Sequence, residues 1–385
     1  RNGTAQPETS LYLDPEVRND WSLGALRPYN QAEISIGQPL LTWGELGRSI
    51  DAAESGIGVA AAEQSNKAIA VALRAGESYY GLLLAEALFR IAEETEQVLV
   101  QAQEEIDRLL QEGTEDVDDA DLFEVRILEQ EFRRQLVEVT QQRALARTAV
   151  LRQLRLPDGI PVEPTDTELE PLMLTLDSLD TYIALGLAQR PEVAQAAAGL
   201  AAREALVDVA RSAYYPKLFL GATAQIRFAQ GRPRQPNPYI SEDFNGQSVR
   251  AGVGFRYDLN FAQTKSRVRQ AEAEREEVRF QQDAADLLIR FEVEEAYRTV
   301  VIRRAALDAQ TEALQISKEW LRTEQINFDL ELGDTENLVR AVQSNLELQA
   351  RYYNAVQRYN VAVLRLLART GILSAGTLGG MVVDQ

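Results

Sequence analysis

The stretch SVRAGVGFRYDLNF, residues 248–261, sorts its side chains into two sets without a break. Val249, Ala251, Val253, Phe255, Tyr257, Leu259 and Phe261 fall on one side; Ser248, Arg250, Gly252, Gly254, Arg256, Asp258 and Asn260 fall on the other. Successive side chains of a strand point to opposite faces, so the pattern predicts a strand with one apolar and one polar face. Residues 217–229 carry the same signal, with Leu218, Leu220, Ala222, Ala224, Ile226 and Phe228 opposed to Lys217, Thr223, Gln225 and Arg227. Phe219 is the exception on the polar side. Residues 31–42 repeat the alternation, Ala32, Ile34, Ile36 and Leu40 against Gln31, Glu33, Ser35 and Gly37. Between the two later strands lies GRPRQPNPYISEDFNGQ, which reads as a long exposed loop because Pro and Gly interrupt regular structure.

These strands have the length of transmembrane β-strands, about 9–11 residues. Trp43, Phe228, Phe255, Tyr257 and Phe261 supply aromatic residues of the kind that sit at membrane interfaces. So few strands cannot close a barrel within one chain. Strands pooled from several chains would close it and remove the unpaired edges.

Outside the strands the chain is helical in pattern and duplicated. A shift of 218 positions aligns Leu41 with Leu259, Trp43 with Phe261, Ile50 with Val268, Val71 with Ile289, Glu77 with Glu295 and Tyr79 with Tyr297. A constant offset with matching apolar spacing indicates an internal repeat. Each copy holds a proline-free run of good helix formers, residues 44–110 and 262–331. At 1.5 Å per residue each would span roughly 100 Å, a length found in coiled coils and elongated bundles. The return helices are placed at 119–156 and 335–370. In the second, Val342, Leu346, Tyr352, Val356, Tyr359, Val363 and Leu366 form the seam of helix-on-helix packing. The expected plan is a first repeat over 1–158 (strand 31–42, helices 44–110 and 119–156) and an inter-repeat linker at 159–187. A second repeat over 188–373 follows (helix 188–215, strands 217–229 and 248–261, helices 262–331 and 335–370), then a tail at 374–385. Tyr79 and Tyr297 are expected to pack between repeats.

Composition narrows the function. The net charge of -19 argues against nucleic acid, whose phosphates attract basic faces. The chain has no Cys and no His, so thiolate and imidazole chemistry, the usual zinc and copper sites and a disulfide framework are all excluded. No stretch approaches the roughly 20 apolar residues of a membrane-spanning helix, which leaves a barrel as the way through a bilayer. No nucleophile–base pair or phosphate loop is present, and no catalytic residue, cofactor or metal is expected.

Several junctions resemble the TolC family of outer-membrane efflux proteins. They are ALGLAQRPEVAQA at 184–196, ARSAYYPKLFLGA at 210–222, ISIGQPLLTWGELGRSIDAAE at 34–54, ELGDTENLVRAVQSNLELQ at 331–349 and the closing LLARTGIL at 366–373. The resemblance covers about residues 30–373, and the order of the segments carries it more than any one motif. It implies a mainly α fold with a small β part. Long antiparallel helical hairpins in two tandem repeats would accompany strands contributed to a trimeric, 12-stranded transmembrane β-barrel. It also implies a homotrimer in outer-membrane lipid with a periplasmic helical tunnel, met by a periplasmic adaptor (membrane fusion) protein and an inner-membrane pump. The function implied is the passive exit duct of a tripartite efflux or type I secretion system. A soluble coiled-coil scaffold and a periplasmic adaptor are the alternatives. The first copy departs from the family by starting near its second strand. RNGTAQPETSL at 1–11 does not match the strand at 219–229, so an N-terminal piece is expected to be missing.

The two helix–helix breaks, 111–122 and 330–338, lie where the resemblance puts the periplasmic entrance. Gly113 and Gly333 suit helix ends at positive φ. Asp334, Thr335 or Glu336 suit the start of the next helix, where caps and acidic groups are favoured. Glu115, Asp116, Asp118, Asp119 and Asp121 exceed what capping needs. They are candidates for an acidic collar that contacts the adaptor or gates cationic cargo; a solvated hairpin tip is the competing reading.

Overall fold

The computed structural model describes residues 28–112, 119–157, 159–161, 163–230, 239, 244–330 and 335–373. In chain order the elements are β1 (Tyr29–Leu41), α1 (Glu45–Glu112), α2 (Asp119–Gln153), α3 (Leu179–Gln189), α4 (Pro191–Ser212), β2 (Lys217–Ala229), β3 (Gly246–Arg256), α5 (Phe261–Asp329) and α6 (Thr335–Arg369). The fold is mainly helical with a small antiparallel sheet ordered β1-β2-β3. No helix among the described residues is long and apolar enough to cross a membrane.

Helix lengths repeat between the copies: 68 and 69 residues for α1 and α5, 35 each for α2 and α6. The helix ends repeat as well. Starts of α2 and α6, Asp119 and Thr335, lie 216 residues apart, and so do two left-handed residues, Arg155 (φ 54°) and Gly371 (φ 77°). Around the first, Leu156 N–H donates to Leu151 C=O (3.0 Å) and Arg155 N–H to Arg152 C=O (3.2 Å). Around the second, Ile372 N–H donates to Leu367 C=O and Gly371 N–H to Ala368 C=O, both at 3.1 Å. Both are Schellman terminations, which satisfy the last carbonyls of a helix through one left-handed residue.

Two boundaries differ from the sequence reading. The alternation at 248–261 predicts a strand to Phe261, but β3 stops at Arg256. Asp258 Oδ1 accepts the Asn260 N–H (3.1 Å) and Asn260 Oδ1 accepts the Gln263 N–H (3.3 Å). These short polar side chains bend the chain and cap α5, although their spacing still alternates. The helix expected at 188–215 runs as α4, Pro191–Ser212, and a separate helix, α3, precedes it. α3 begins at Leu179, inside the expected linker, with Ser178 as its N-cap, and the chain breaks at Arg190 before Pro191. Proline disfavours helical φ/ψ in the residue before it, and Arg190 sits at ψ 130°.

The structure forms two compact units. One comprises the described residues up to Arg48 together with Asp208–Arg269 and holds the sheet; the other comprises Ser49–Val207 and Gln270 onward. The helical unit has one core, drawn from α1 (Tyr80, Leu83), the 159–178 segment (Leu169, Leu172), α3 (Tyr182), α5 (Val293, Val300) and α6 (Val356, Tyr359, Leu364, Leu366). Asn360 is fully buried there. Its Oδ1 accepts the Leu172 N–H (2.8 Å) and its Nδ2 donates to Glu170 C=O (2.7 Å), pinning that segment by its backbone.

Candidate functional site

The sheet keeps its two faces in register across three strands. Ala32 pairs with Ile226, Ile34 with Ala224 and Ile36 with Ala222. Ala224 pairs on with Val249, Ala222 with Ala251, Leu220 with Val253 and Leu218 with Phe255. One face is therefore apolar along its middle, with Asn30, Gln38 and Gln247 toward its ends, and it is open. Ile34 is 68% exposed, Ile226 61%, Val249 81% and Phe255 74%; on the polar face Thr223, Gln225 and Arg227 of the central strand are half-buried, and Glu33, Ser35 and Arg250 of the flanking strands are exposed. A sheet folded for water alone would cover its apolar face and present the polar one.

Phe219, out of pattern in the sequence, pairs with Gly254 on the polar face. A Cβ on Gly254 would come within 2.7 Å of the Phe219 ring, so the ring occupies the place a side chain would take. An aromatic lying over a cross-strand glycine restores packing that the glycine lacks.

Aromatic residues gather at both ends of the sheet. At the loop end, the Tyr29 and Phe244 rings meet edge-to-face at 5.9 Å, and Phe228 lies exposed one residue from Tyr29's partner, Ala229. At the helix end stand Trp43, Phe255, Tyr257 and Phe261, all exposed, with Tyr257 and Phe261 6.0 Å apart. Trp43 is held by two contacts: its Nε1 donates to Pro216 C=O (2.7 Å), and its ring lies 5.0 Å from that of Tyr215. Ion pairs fix the same junction, Lys217 to Glu45 (2.5 Å) and Arg48 to Asp208 (3.3 Å).

The hairpin-tip candidates fall mostly outside the described residues: Gly113, Glu115, Asp116, Asp118, Gly333 and Asp334 do so. Asp119 and Thr335 open α2 and α6, and Asp121 lies in the first turn of α2. Glu336 pairs with Arg340 one turn along its own helix.

Tyr79 and Tyr297 share a role that the repeat implied only loosely. Tyr79 donates its hydroxyl to Asp166 Oδ2 (2.6 Å), and Tyr297 donates to Asp177 C=O (3.2 Å). The matched tyrosines thus fasten the inter-repeat segment at two points, Asp166 and Asp177. Burial, then the hydrogen bond to the Asp166 carboxylate, pushes the Tyr79 hydroxyl up to about 12. The sequence reading missed a second fastening. Arg190, buried at the α3–α4 break, pairs with Glu292 (2.6 Å) and Glu192 (2.8 Å), while Arg369 also reaches Glu292 (3.1 Å). Burial opposes the Arg190 charge, and its hydrogen bonds to Glu192 and Glu292 outweigh that, raising its pKa. Gly371 abuts the same break. A Cβ there would lie 2.8 Å from the Gln189 carbonyl, so only glycine fits both its φ and its surroundings.

Residues 183–371, from α3 to the glycine that ends α6, match the outer membrane efflux protein family. No curated protein matches the chain in sequence. Among solved structures, the outer-membrane channel OprN aligns with a TM-score of 0.70 at 15% identity, covering 92% of this chain and 83% of its own. The outer membrane protein VceC of Vibrio cholerae aligns with a TM-score of 0.68 at 16% identity, covering 90% and 88%. The open state of the MtrE outer membrane channel of Neisseria gonorrhoeae gives 0.67 at 16%, covering 90% and 81%. The family match falls in the second repeat, and the TolC-like resemblance stands. The family and these neighbours are channels rather than enzymes.

Proposed function

We propose that the chain is one protomer of a homotrimeric exit duct, with its sheet in the outer membrane and its long helices forming a periplasmic tunnel. The observation that carries this is the exposed apolar face, in register over three strands and bounded at both ends by aromatic residues. Ten residues separate Phe228 from Leu218, the partner of Phe255. At 3.3 Å per residue that is about 33 Å along the strand, or about 25 Å of height at a tilt near 40°, the apolar band of an outer-membrane barrel. Trp43, Phe228, Phe255, Tyr257 and Phe261 then sit at the two interfaces. Both sheet edges, β1 and β3, lack a partner among the described strands. Four strands from each of three protomers would close a twelve-stranded barrel without edges.

In this reading the helical tips face a periplasmic adaptor and an inner-membrane pump, in a tripartite efflux or type I secretion system. The collar at Glu115, Asp116, Asp118, Asp119 and Asp121, with Gly113, Gly333, Asp334, Thr335 and Glu336 at the turns, contacts the adaptor or gates the entrance. A soluble scaffold leaves the open apolar face without a purpose. The test is oligomeric mass in detergent together with single-channel recording in a planar bilayer. Trimers that give discrete conductance steps are expected; a water-soluble monomer without conductance would overturn the proposal.

A further inference from the structure

The chain carries a net charge of -19, yet the polar face of its sheet is basic. The three described strands hold four cations, Lys217, Arg227, Arg250 and Arg256, and one acid, Glu33. All five fall on that face by register. Lys217, at the helix end, is matched by Glu45. Glu33 accepts hydrogen bonds from Ser35 (3.3 Å) and Gln225 (3.4 Å).

Arg250 is placed differently. It is exposed in mid-strand, in the cross-strand row Ser35–Thr223–Arg250, whose two hydroxyls hydrogen-bond each other at 3.3 Å. The next row toward the helices is glycine on every strand, Gly37–Gly221–Gly252, and a Cβ at any of the three would meet nothing within 4 Å. A belt of bare backbone therefore borders the guanidinium on that side, with no acid in that row of the three described strands. Glu33 lies two strands over and one row along, about 12 Å away at the usual strand geometry, which is more than a screening length in ordinary salt.

We propose that the polar face of the sheet makes an anion-preferring exit, with Arg250 as its selectivity-setting residue. This rests on the duct reading, in which the polar face lines the lumen and the trimer repeats each row three times. A ring of fixed cations in a pore raises the local concentration of anions and opposes cations. The passing species are then chloride and anionic or zwitterionic cargo, whatever the acidic residues at the far end attract.

The test uses full-length protein in a planar bilayer under a potassium chloride gradient. Arg250→Glu is expected to move the reversal potential toward potassium by about twofold or more in permeability ratio, and Glu33→Gln to move it the opposite way. These 385 residues contain no cysteine, so Arg250→Cys gives a single labelling site among them. A cationic thiosulfonate is expected to return the selectivity toward that of the unaltered protein, and an anionic one to move it further toward potassium. Conducting channels whose reversal potential ignores the charge at position 250, with labelling verified by mass, overturn the proposal. So does a residue 250 that water-soluble reagents do not reach. Absence of conductance steps in the unaltered protein would instead overturn the duct itself.

Discussion

The end of α6 and the three-stranded sheet are both rich in apolar residues, and the chain treats them in opposite ways. From Tyr359 to Ala368 every α6 residue except Arg365 is buried. In β1 every residue is exposed, Ile34 and Ile36 included. The helix completes its environment within one chain. The sheet does not, and in the proposed duct its uncovered apolar face meets a second solvent, lipid. The same hydrophobic effect acts in both places; what differs is where the water is excluded.

That contrast can be broken by mutation. Leu364→Ala, in a fully buried site, is expected to cost about 2–5 kcal/mol in any solvent, measured by chemical denaturation of the detergent-solubilised protein. Val253→Arg separates the two solvents. Val253 is 65% exposed, so a soluble sheet would accept arginine with little change, whereas a lipid-facing strand should lose about 2–4 kcal/mol, read as loss of membrane-inserted protein. Asn360→Leu keeps the bulk of the core but strands the Leu172 N–H and the Glu170 carbonyl, at about 1–3 kcal/mol.

A smaller effect sits in the inter-repeat fastening. Burial also pushes Tyr80 up to about 12, so with Tyr79 two hydroxyls hold their protons more tightly folded than unfolded, where tyrosine titrates near 10. Their contribution is complete below about pH 10 and falls as pH rises toward about 12. Tyr79→Phe should weaken that alkaline loss and cost about 1 kcal/mol at neutral pH through the hydrogen bond to Asp166. The smallest expected change compares the two Schellman ends. Arg155→Gly relieves a left-handed arginine and should stabilise by up to about 1 kcal/mol. The mirror change at Gly371 must destabilise, because backbone atoms of Gln189 and Arg190 fill the space.

Much of this was legible in the sequence because it is periodic. Strands β1 and β2 follow from two-residue alternation, and the long helices from proline-free runs of helix formers. The strand end at Arg256 was not legible, since Asp258 and Asn260 continue the alternation while their side chains cap the next helix. Asn360 and Arg190 were not legible either. Each works through partners far along the chain, Asn360 with Leu172 and Glu170 and Arg190 with Glu292, which no local spacing reveals. Phe219 was visible as an exception; only the register with Gly254 explains it.

The central claim, that one face of the sheet meets lipid and the other water, has a direct measurement. Single cysteines placed in turn at Val249, Arg250, Ala251, Gly252 and Val253 would carry an environment-sensitive fluorophore in liposomes containing brominated lipid. The account predicts quenching that alternates, strong at 249, 251 and 253 and weak at 250 and 252. Uniformly weak quenching along the strand would contradict it.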